Sequence, residues 1–302
     1  VYASCVVGAA LLVFELLTYP FMPESPYYLL GKGKFEKAQK SLRRLRGTMD
    51  VDKELQEISQ AVERQRSERG RPQDLLLIKS NRKALLIMSV LNGAQHFSSI
   101  SVILMNLHKI LEAAGSIYIN SKAAAIIFSA VMLISASSAS FVIDKYGRKI
   151  LLTTSSLLTG LSLLVIASYF HLQSCDVDVA GGSWIPIVSV MVYAAVFKFG
   201  LGMVPIVMTA ELFPAKVKAM GMTLSDLMYL AFGLISIELY HILSEKYGIE
   251  VPFYLFAASC LLTAAFCAFV IPETKGKTLD EIQFVLKGEP YPGPVVENGI
   301  KS

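Results

Sequence analysis

Seven apolar runs alternate with charged stretches along this chain: Val1 to Phe21, Ala84 to Leu107, Ala123 to Ile143, Ile150 to Phe170, Trp184 to Met208, Met220 to Leu243 and Pro252 to Ile271. Each is close to the roughly 20 residues a helix needs to cross a ~30 Å hydrocarbon layer. Without water inside that layer, backbone N–H and C=O groups must pair within the segment, so each run is expected as a helix. Between the first and second runs the pattern changes. Phe35, Ala38, Leu42 and Leu45, then Val51, Leu55, Ile58 and Val62, fall at helical spacing among many bases. They predict two short amphipathic helices forming a pad under a membrane bundle. After Pro272 a short helix and then a disordered tail with a Pro-Tyr-Pro-Gly-Pro cluster are expected.

This pattern gives an all-α integral membrane protein of seven spans. Residues 1–22 are expected as one transmembrane helix, 23–83 as a cytoplasmic helical linker, 84–271 as a six-helix bundle and 272–302 as a cytoplasmic tail. The chain begins at Val1, inside an apolar run, which reads as a piece of a longer chain.

Composition supports the membrane reading and charge orients it. Hydrophobic residues make up 54% and charged residues 17% of the 302, a balance too apolar for an ordinary soluble domain. The net charge of +4 would suit a nucleic-acid partner only if the bases clustered on a soluble face. Instead 24 of the 28 Lys and Arg fall in segments that alternation of spans places on one side, and only Lys109, Lys122, Lys198 and Lys246 do not. By the positive-inside rule that side is cytoplasmic. The tight turn Phe141 to Lys149, with Lys145, Arg148 and Lys149, fixes the topology, and residence in the plasma membrane is expected. Three of four cysteines lie in apolar runs, so no disulfide framework is expected.

Polar side chains inside apolar runs mark helix faces that do not meet lipid. In the second run Asn92, Gln95, His96, Ser99 and Asn106 share one face. Such an amide stripe serves either as interhelical glue or as the lining of a wet cavity for a polyhydroxy solute. Lys198, Gly202, Pro205 and Thr209 share a face of the fifth run if it is continuous. Lys198, a base near mid-span, would pair with Asp226 or Glu238 of the sixth run or else snorkel. No G-x-S-x-G, phosphate-binding loop or metal-spaced His/Cys cluster is present, so neither an enzyme nor a cofactor or metal is expected.

Four motifs, in order and at the expected faces, then carry a resemblance. Pro23-Glu-Ser-Pro26 precedes Tyr27-Tyr-Leu29; Asp144-Lys-Tyr-Gly-Arg-Lys149 is a D-R-x-G-R-R-like turn; Glu211-Leu-Phe-Pro214 follows the fifth run; Pro272-Glu-Thr-Lys-Gly-Lys-Thr-Leu-Asp-Glu-Ile282 follows the seventh. With them the chain resembles sugar porters of the major facilitator superfamily, more narrowly the insect facilitated trehalose transporter-like group, from the sixth helix to the twelfth. The resemblance implies a transporter for trehalose or a hexose, working by alternating access together with an N-terminal half that precedes this chain. Sugar and membrane lipid would be its partners, and nucleic acid would not.

The resemblance also implies roles for residues. Glu24, Asp144, Arg148, Lys149, Glu211, Lys218 and Glu273 would form a cytoplasmic gate. Gln95, His96, Ser99, Ser101, Lys198, Pro205, Ile206 and Tyr229 occupy sugar-contact positions. Several depart from the family pattern: His96 and Ser101 replace amides, Ile206 replaces a tryptophan, and Tyr229 an asparagine. The competing classes are a transporter-like sugar sensor or inactive truncated product and, more remotely, a seven-helix receptor.

Overall fold

The computed structural model describes residues 2–48, 50–67, 71–115, 120–214, 216–277 and 279–290. They are helical, with no strand among them. The chain divides into two compact units, residues 1–70 and 71–302.

The first unit holds α1 (Tyr2–Thr18), a 3-10 turn (Tyr19–Phe21), α2 (Pro26–Gly31), α3 (Phe35–Arg46) and α4 (Asp52–Ser67). At 17 residues α1 is about 26 Å long, short of the ~30 Å apolar layer by itself. Pro20 turns the chain into the 3-10 segment that follows. The amphipathic pair forms where its spacing predicts. Leu29, Leu30, Ala38, Leu42, Val51, Leu55 and Ile58 make a small shared core with Val62 at its edge. Phe35 and Leu45 do not join it and stand more than half exposed. Two cross-links pin the pair: Gln39 donates to Asp52 at 2.7 Å, and Arg46 grips Glu54 through two donors.

The second unit holds α5 (Asp74–Leu77), α6 (Lys79–His96), α7 (Ile100–Ala113), α8 (Ser121–Tyr146), α9 (Arg148–Ser174), α10 (Trp184–Phe199), α11 (Val204–Leu212), α12 (Lys218–Tyr247), α13 (Glu250–Phe269) and α14 (Leu279–Lys287). Six spans in it are long and apolar enough to cross a membrane: 79–113, 122–143, 148–174, 184–212, 218–247 and 250–269. Among the described residues, then, six of the seven expected spans meet that standard.

α9 packs between α10 and α13, α10 also against α8, and α12 against α6. Aromatic rings fill the seams: Phe170 stacks on Phe253 at 6.0 Å, and Tyr193 on Phe197 at 5.8 Å. α14 packs on α6 and α11, so the helical part of the tail and residues 71–83 belong to the same compact unit as the bundle. α8 and α12 keep much of their apolar surface uncovered, with Phe141, Ile126, Leu230 and Leu234 the most exposed.

Two expected spans are broken. The second stops at His96, turns through Phe97 to Ser99, and resumes at Ile100. Ser99 makes the turn in the left-handed region, at φ +73°. The fifth stops at Phe199 and resumes at Val204, with Pro205 in the first turn of the new helix, where its missing N–H costs nothing. A Cβ on Gly200 would come within 2.2 Å of Ser155 Cβ and 2.4 Å of Leu151 O, so only glycine lets this break close on α9. Ser155 Oγ donates to Val196 O (2.7 Å) and accepts from Leu201 N–H (3.1 Å), supplying hydrogen bonds the interrupted ladder lost.

Candidate functional site

The breaks bring sequence-predicted residues together and change how they are used. Gln95, in the last turn of α6, donates through Nε2 to Leu201 O at 2.6 Å, in the middle of the α10–α11 break. Tyr193 of α10 answers from the other side, donating to Ser98 O at 2.8 Å. Each break is thus bonded by a side chain from the helix bearing the other. Asn92 donates to Ser225 O of α12 at 2.8 Å, and Ser236 of α12 donates to His96 O at 2.8 Å. Asn106 bonds only its own helix, to Val102 O at 3.3 Å. Of the amide stripe, Asn92 and Gln95 therefore spend a donor on joining helices. The sequence could not separate that role from cavity lining.

His96 is buried. Its Nδ1 lies 2.7 Å from Ser101 Oγ, its ring meets Tyr229 at 4.2 Å between centroids, and its Nε2 has no partner. Ser99 Oγ, also buried, has none either. His96, Ser99, Ser101 and Tyr229 therefore form one cluster at the α6–α7 break, with two buried polar atoms open to a further hydrogen bond.

Lys198, Pro205 and Ile206 belong to the second break. Lys198 is half-buried in the last turn of α10, where a cation suits the negative end of the helix dipole. It makes no ion pair with Asp226 or Glu238, both of which are exposed on α12, so that expectation is corrected. The expected common face of Lys198, Gly202, Pro205 and Thr209 is also lost, because the helix between them is interrupted. Pro205 is buried, whereas Ile206 is 65% exposed. A recess of about 360 Å³ lies along α12, lined by Ala219, Met220, Thr223, Leu224 and Leu227, and none of the predicted sugar contacts lines it.

At the other end of the bundle three gate residues converge. Arg148 Nη2 bonds Glu211 Oε1 at 2.9 Å, and Thr274 Oγ1 donates to the other oxygen of Glu211 at 2.6 Å. Glu273 accepts from the N–H groups of Arg148 (2.9 Å) and Lys149 (3.1 Å), the first two residues of α9, and from Lys275 N–H at 3.0 Å. Burial pushes the Glu273 carboxyl up, but the N–H groups of Lys275, Arg148, Lys149 and Thr274 outweigh it and hold it below the usual carboxylate range. Lys275 Nζ ties the same strand of tail to Lys145 O at 2.7 Å.

The remaining gate positions are not part of this knot. Lys149 enters it only through its backbone, and Lys218, half-buried at the start of α12, makes no ion pair among the described residues. Glu24 lies in the first unit, where its carbonyl accepts from Ser41. The side chain of Asp144 lies outside the described residues. Thr274, Tyr193, Ser155 and Ser236 were not singled out from sequence; Thr274 was inside a quoted motif, while lone hydroxyls in apolar runs carry no pattern that distinguishes them.

Comparisons with known proteins agree with this architecture. The family described as Sugar (and other) transporter matches residues 3–286. Facilitated trehalose transporter Tret1 of Aedes aegypti is 30% identical over 285 residues, 93% of this chain and 35% of that protein. Its Bombyx mori counterpart is 30% identical, covering 92% and 55% respectively. Trehalose transporter 1 of Drosophila melanogaster is 31% identical, covering 93% and 33%. The chain thus spans about a third to just over half of these relatives. Among solved structures, the proton:xylose symporter XylE bound to 6-bromo-6-deoxy-D-glucose superposes with a TM-score of 0.69 at 24% identity, over 91% of this chain and 56% of that one. The inward-open form of XylE from E. coli gives 0.67 at 25%, over 91% and 54%.

Proposed function

This chain belongs to the Sugar (and other) transporter family, a multi-pass membrane family of the major facilitator superfamily, and from that premise we propose that it forms the C-terminal half of an alternating-access sugar carrier. The carried solute is trehalose or a hexose, moved by facilitated diffusion across the plasma membrane, with a preceding N-terminal half completing the path. In that arrangement two bundles rock about a solute held near mid-membrane at their interface.

The observation that carries this reading is the pair of facing helix breaks, cross-bonded by Gln95 and Tyr193. Irregular backbone at membrane depth is tolerated where protein or a water-filled cavity surrounds it. Two buried polar atoms beside it, His96 Nε2 and Ser99 Oγ, lack a hydrogen-bond partner, and in this reading a sugar hydroxyl would satisfy the donor and acceptor roles that a ring nitrogen and a hydroxyl offer. Ser101 holds the His96 ring through Nδ1, and Tyr229 offers an apolar ring face in place of the family tryptophan at Ile206.

At the cytoplasmic end, Arg148, Glu211 and Glu273 lock α9, α11 and the tail into one plate, and Lys149 and Lys218 of the expected gate lie in the same compact unit. Flux of radiolabelled trehalose and glucose into vesicles bearing the full-length protein tests the reading. Saturable uptake that equilibrates without a gradient supports it, and a 10-fold or greater loss in His96→Ala, with Lys109→Gln unaffected, ties uptake to this cluster. Absence of flux for both sugars, restored by Ile206→Trp, would favour the non-transporting sensor instead.

A further inference from the structure

The first unit separates its charges by helix. α3 carries Lys37, Lys40, Arg43, Arg44 and Arg46 against the single acid Glu36, whereas α4 carries four acids against three bases. Arg46 grips Glu54 of α4, and Arg43 is half-buried. The other three bases are placed differently. Lys37, Lys40 and Arg44, spaced i, i+3 and i+7, share one face of α3. Ala38 and Leu42, on the opposite side, enter the core that α3 shares with α2 and α4, so the basic face is held outward. All three bases are exposed, as is Lys34 just before the helix, and none of the four makes an ion pair or hydrogen bond among the described residues. Glu36, one turn before Lys40, offsets part of the charge and leaves the face net positive.

The chain leading to this face restricts where it can be. Only Met22 to Ser25 separate the turn ending at Phe21 from the start of α2, a link that reaches less than about 20 Å even fully extended. Before that turn, α1 leaves Leu12, Phe14, Leu16 and Leu17 each more than 60% exposed, an apolar surface suited to hydrocarbon. With α1 in the hydrocarbon layer, α2 and the helix after it start within reach of the lipid headgroups. Tyr19, Phe21 and Tyr27, all more than half exposed, stand along the connection, and aromatic rings favour the membrane–water boundary.

We propose that the face bearing Lys34, Lys37, Lys40 and Arg44 docks on anionic lipid of the cytoplasmic leaflet, with Tyr19, Phe21 and Tyr27 at the headgroup boundary. From Lys37 to Arg44 the bases spread over about 10 Å of helix, which suits a charged surface better than a single anion. An acidic protein segment would match the charge but not the exposed aromatic rings beside an apolar helix. The docking rests on the reading of α1 as a membrane helix and not on a sugar path, so docking and sugar flux can fail separately.

The test puts a fluorophore on Thr48→Cys, an exposed position just after α3, in the whole chain with Cys175→Ser; the remaining cysteines lie in apolar runs. The labelled chain is placed in nanodiscs of phosphatidylcholine with or without phosphatidylserine, each holding a headgroup-spin-labelled phosphatidylcholine as quencher. Quenching should rise about twofold or more with phosphatidylserine and fall back in high salt. Lys37→Gln, Lys40→Gln and Arg44→Gln should each lower the ratio of docked to undocked chain about fivefold. Lys53→Gln, on the exposed side of α4, should leave it unchanged. Equal quenching in the two lipid mixtures, the result expected of a face packed on protein, would overturn the docking. So would quenching that salt does not reduce, or an equal loss in Lys53→Gln.

Discussion

Glu273 caps the helix that Arg148 begins, although 125 residues separate them: its Oε1 accepts the Arg148 N–H at 2.9 Å. Between α8 and α9 the turn is made by Gly147 at φ +88°, and a Cβ there would lie 2.6 Å from Glu273 Oε2. The left-handed φ and the close approach of the Glu273 carboxylate both favour a bare backbone at this turn. Glu273→Ala should lower stability by about 1–2 kcal/mol, the usual cost of a lost cap. Gly147→Ala should cost at least as much, through its φ as well as the clash. Thermal unfolding of the chain in detergent reads both.

The same contact sets a pH dependence. The folded Glu273 carboxyl is held below its ordinary value of 4.5, so the folded state prefers it ionised. Its stabilisation is full above about pH 4.5 and is lost as pH falls through the lower folded value. Wild type should lose unfolding temperature over that acid window more steeply than Glu273→Gln, which has no proton to gain. Parallel pH profiles for the two proteins would remove Glu273 as the source.

Gln95 should behave as a structural bond as well as a site residue. Gln95→Leu removes the donor to Leu201 O, which no longer has a helical partner and is buried with it. A loss of about 1 kcal/mol is expected, within the range for interhelical hydrogen bonds in membranes. Unfolding measurements on the double-mutant cycle with Tyr193→Phe should show coupling, since the two bonds brace one junction.

Gly200→Ala should be worse than either. Its new methyl meets both Ser155 Cβ and the Leu151 carbonyl, so at least the ~1–3 kcal/mol typical of overpacking applies. Adding Ser155→Gly should not restore stability, because the Leu151 oxygen at 2.4 Å is backbone and stays in place. Recovery in the double variant would show that α9 and α10 are farther apart than described.

Six of the spans and the small core of the first unit were legible because burial writes a period into sequence: Ala38 and Leu42, Val51, Leu55 and Ile58 all went inside. Phe35 and Leu45 matched the same period and stayed out, since periodicity names a face without saying which of its positions a neighbour covers. The α10–α11 break left a trace in Gly200, Gly202 and Pro205. The α6–α7 break left almost none, because Ser99 takes a conformation usually left to glycine. Motif letters grouped Glu211 and Glu273 at one end of the bundle, yet did not reveal what Glu273 does there: its partners are backbone N–H groups, which every residue owns and no motif records.

The central claim, that the broken helices face a solute path, is tested most directly at Ile206, the exposed residue of α11 nearest the second break. In the full-length protein with Cys175→Ser, a cysteine substituted at Ile206 should react with a water-soluble, membrane-impermeant thiol reagent. Trehalose or glucose should slow that reaction at least severalfold. Reaction only with a lipid-soluble reagent, unaffected by any sugar, would place this face against hydrocarbon and contradict the account.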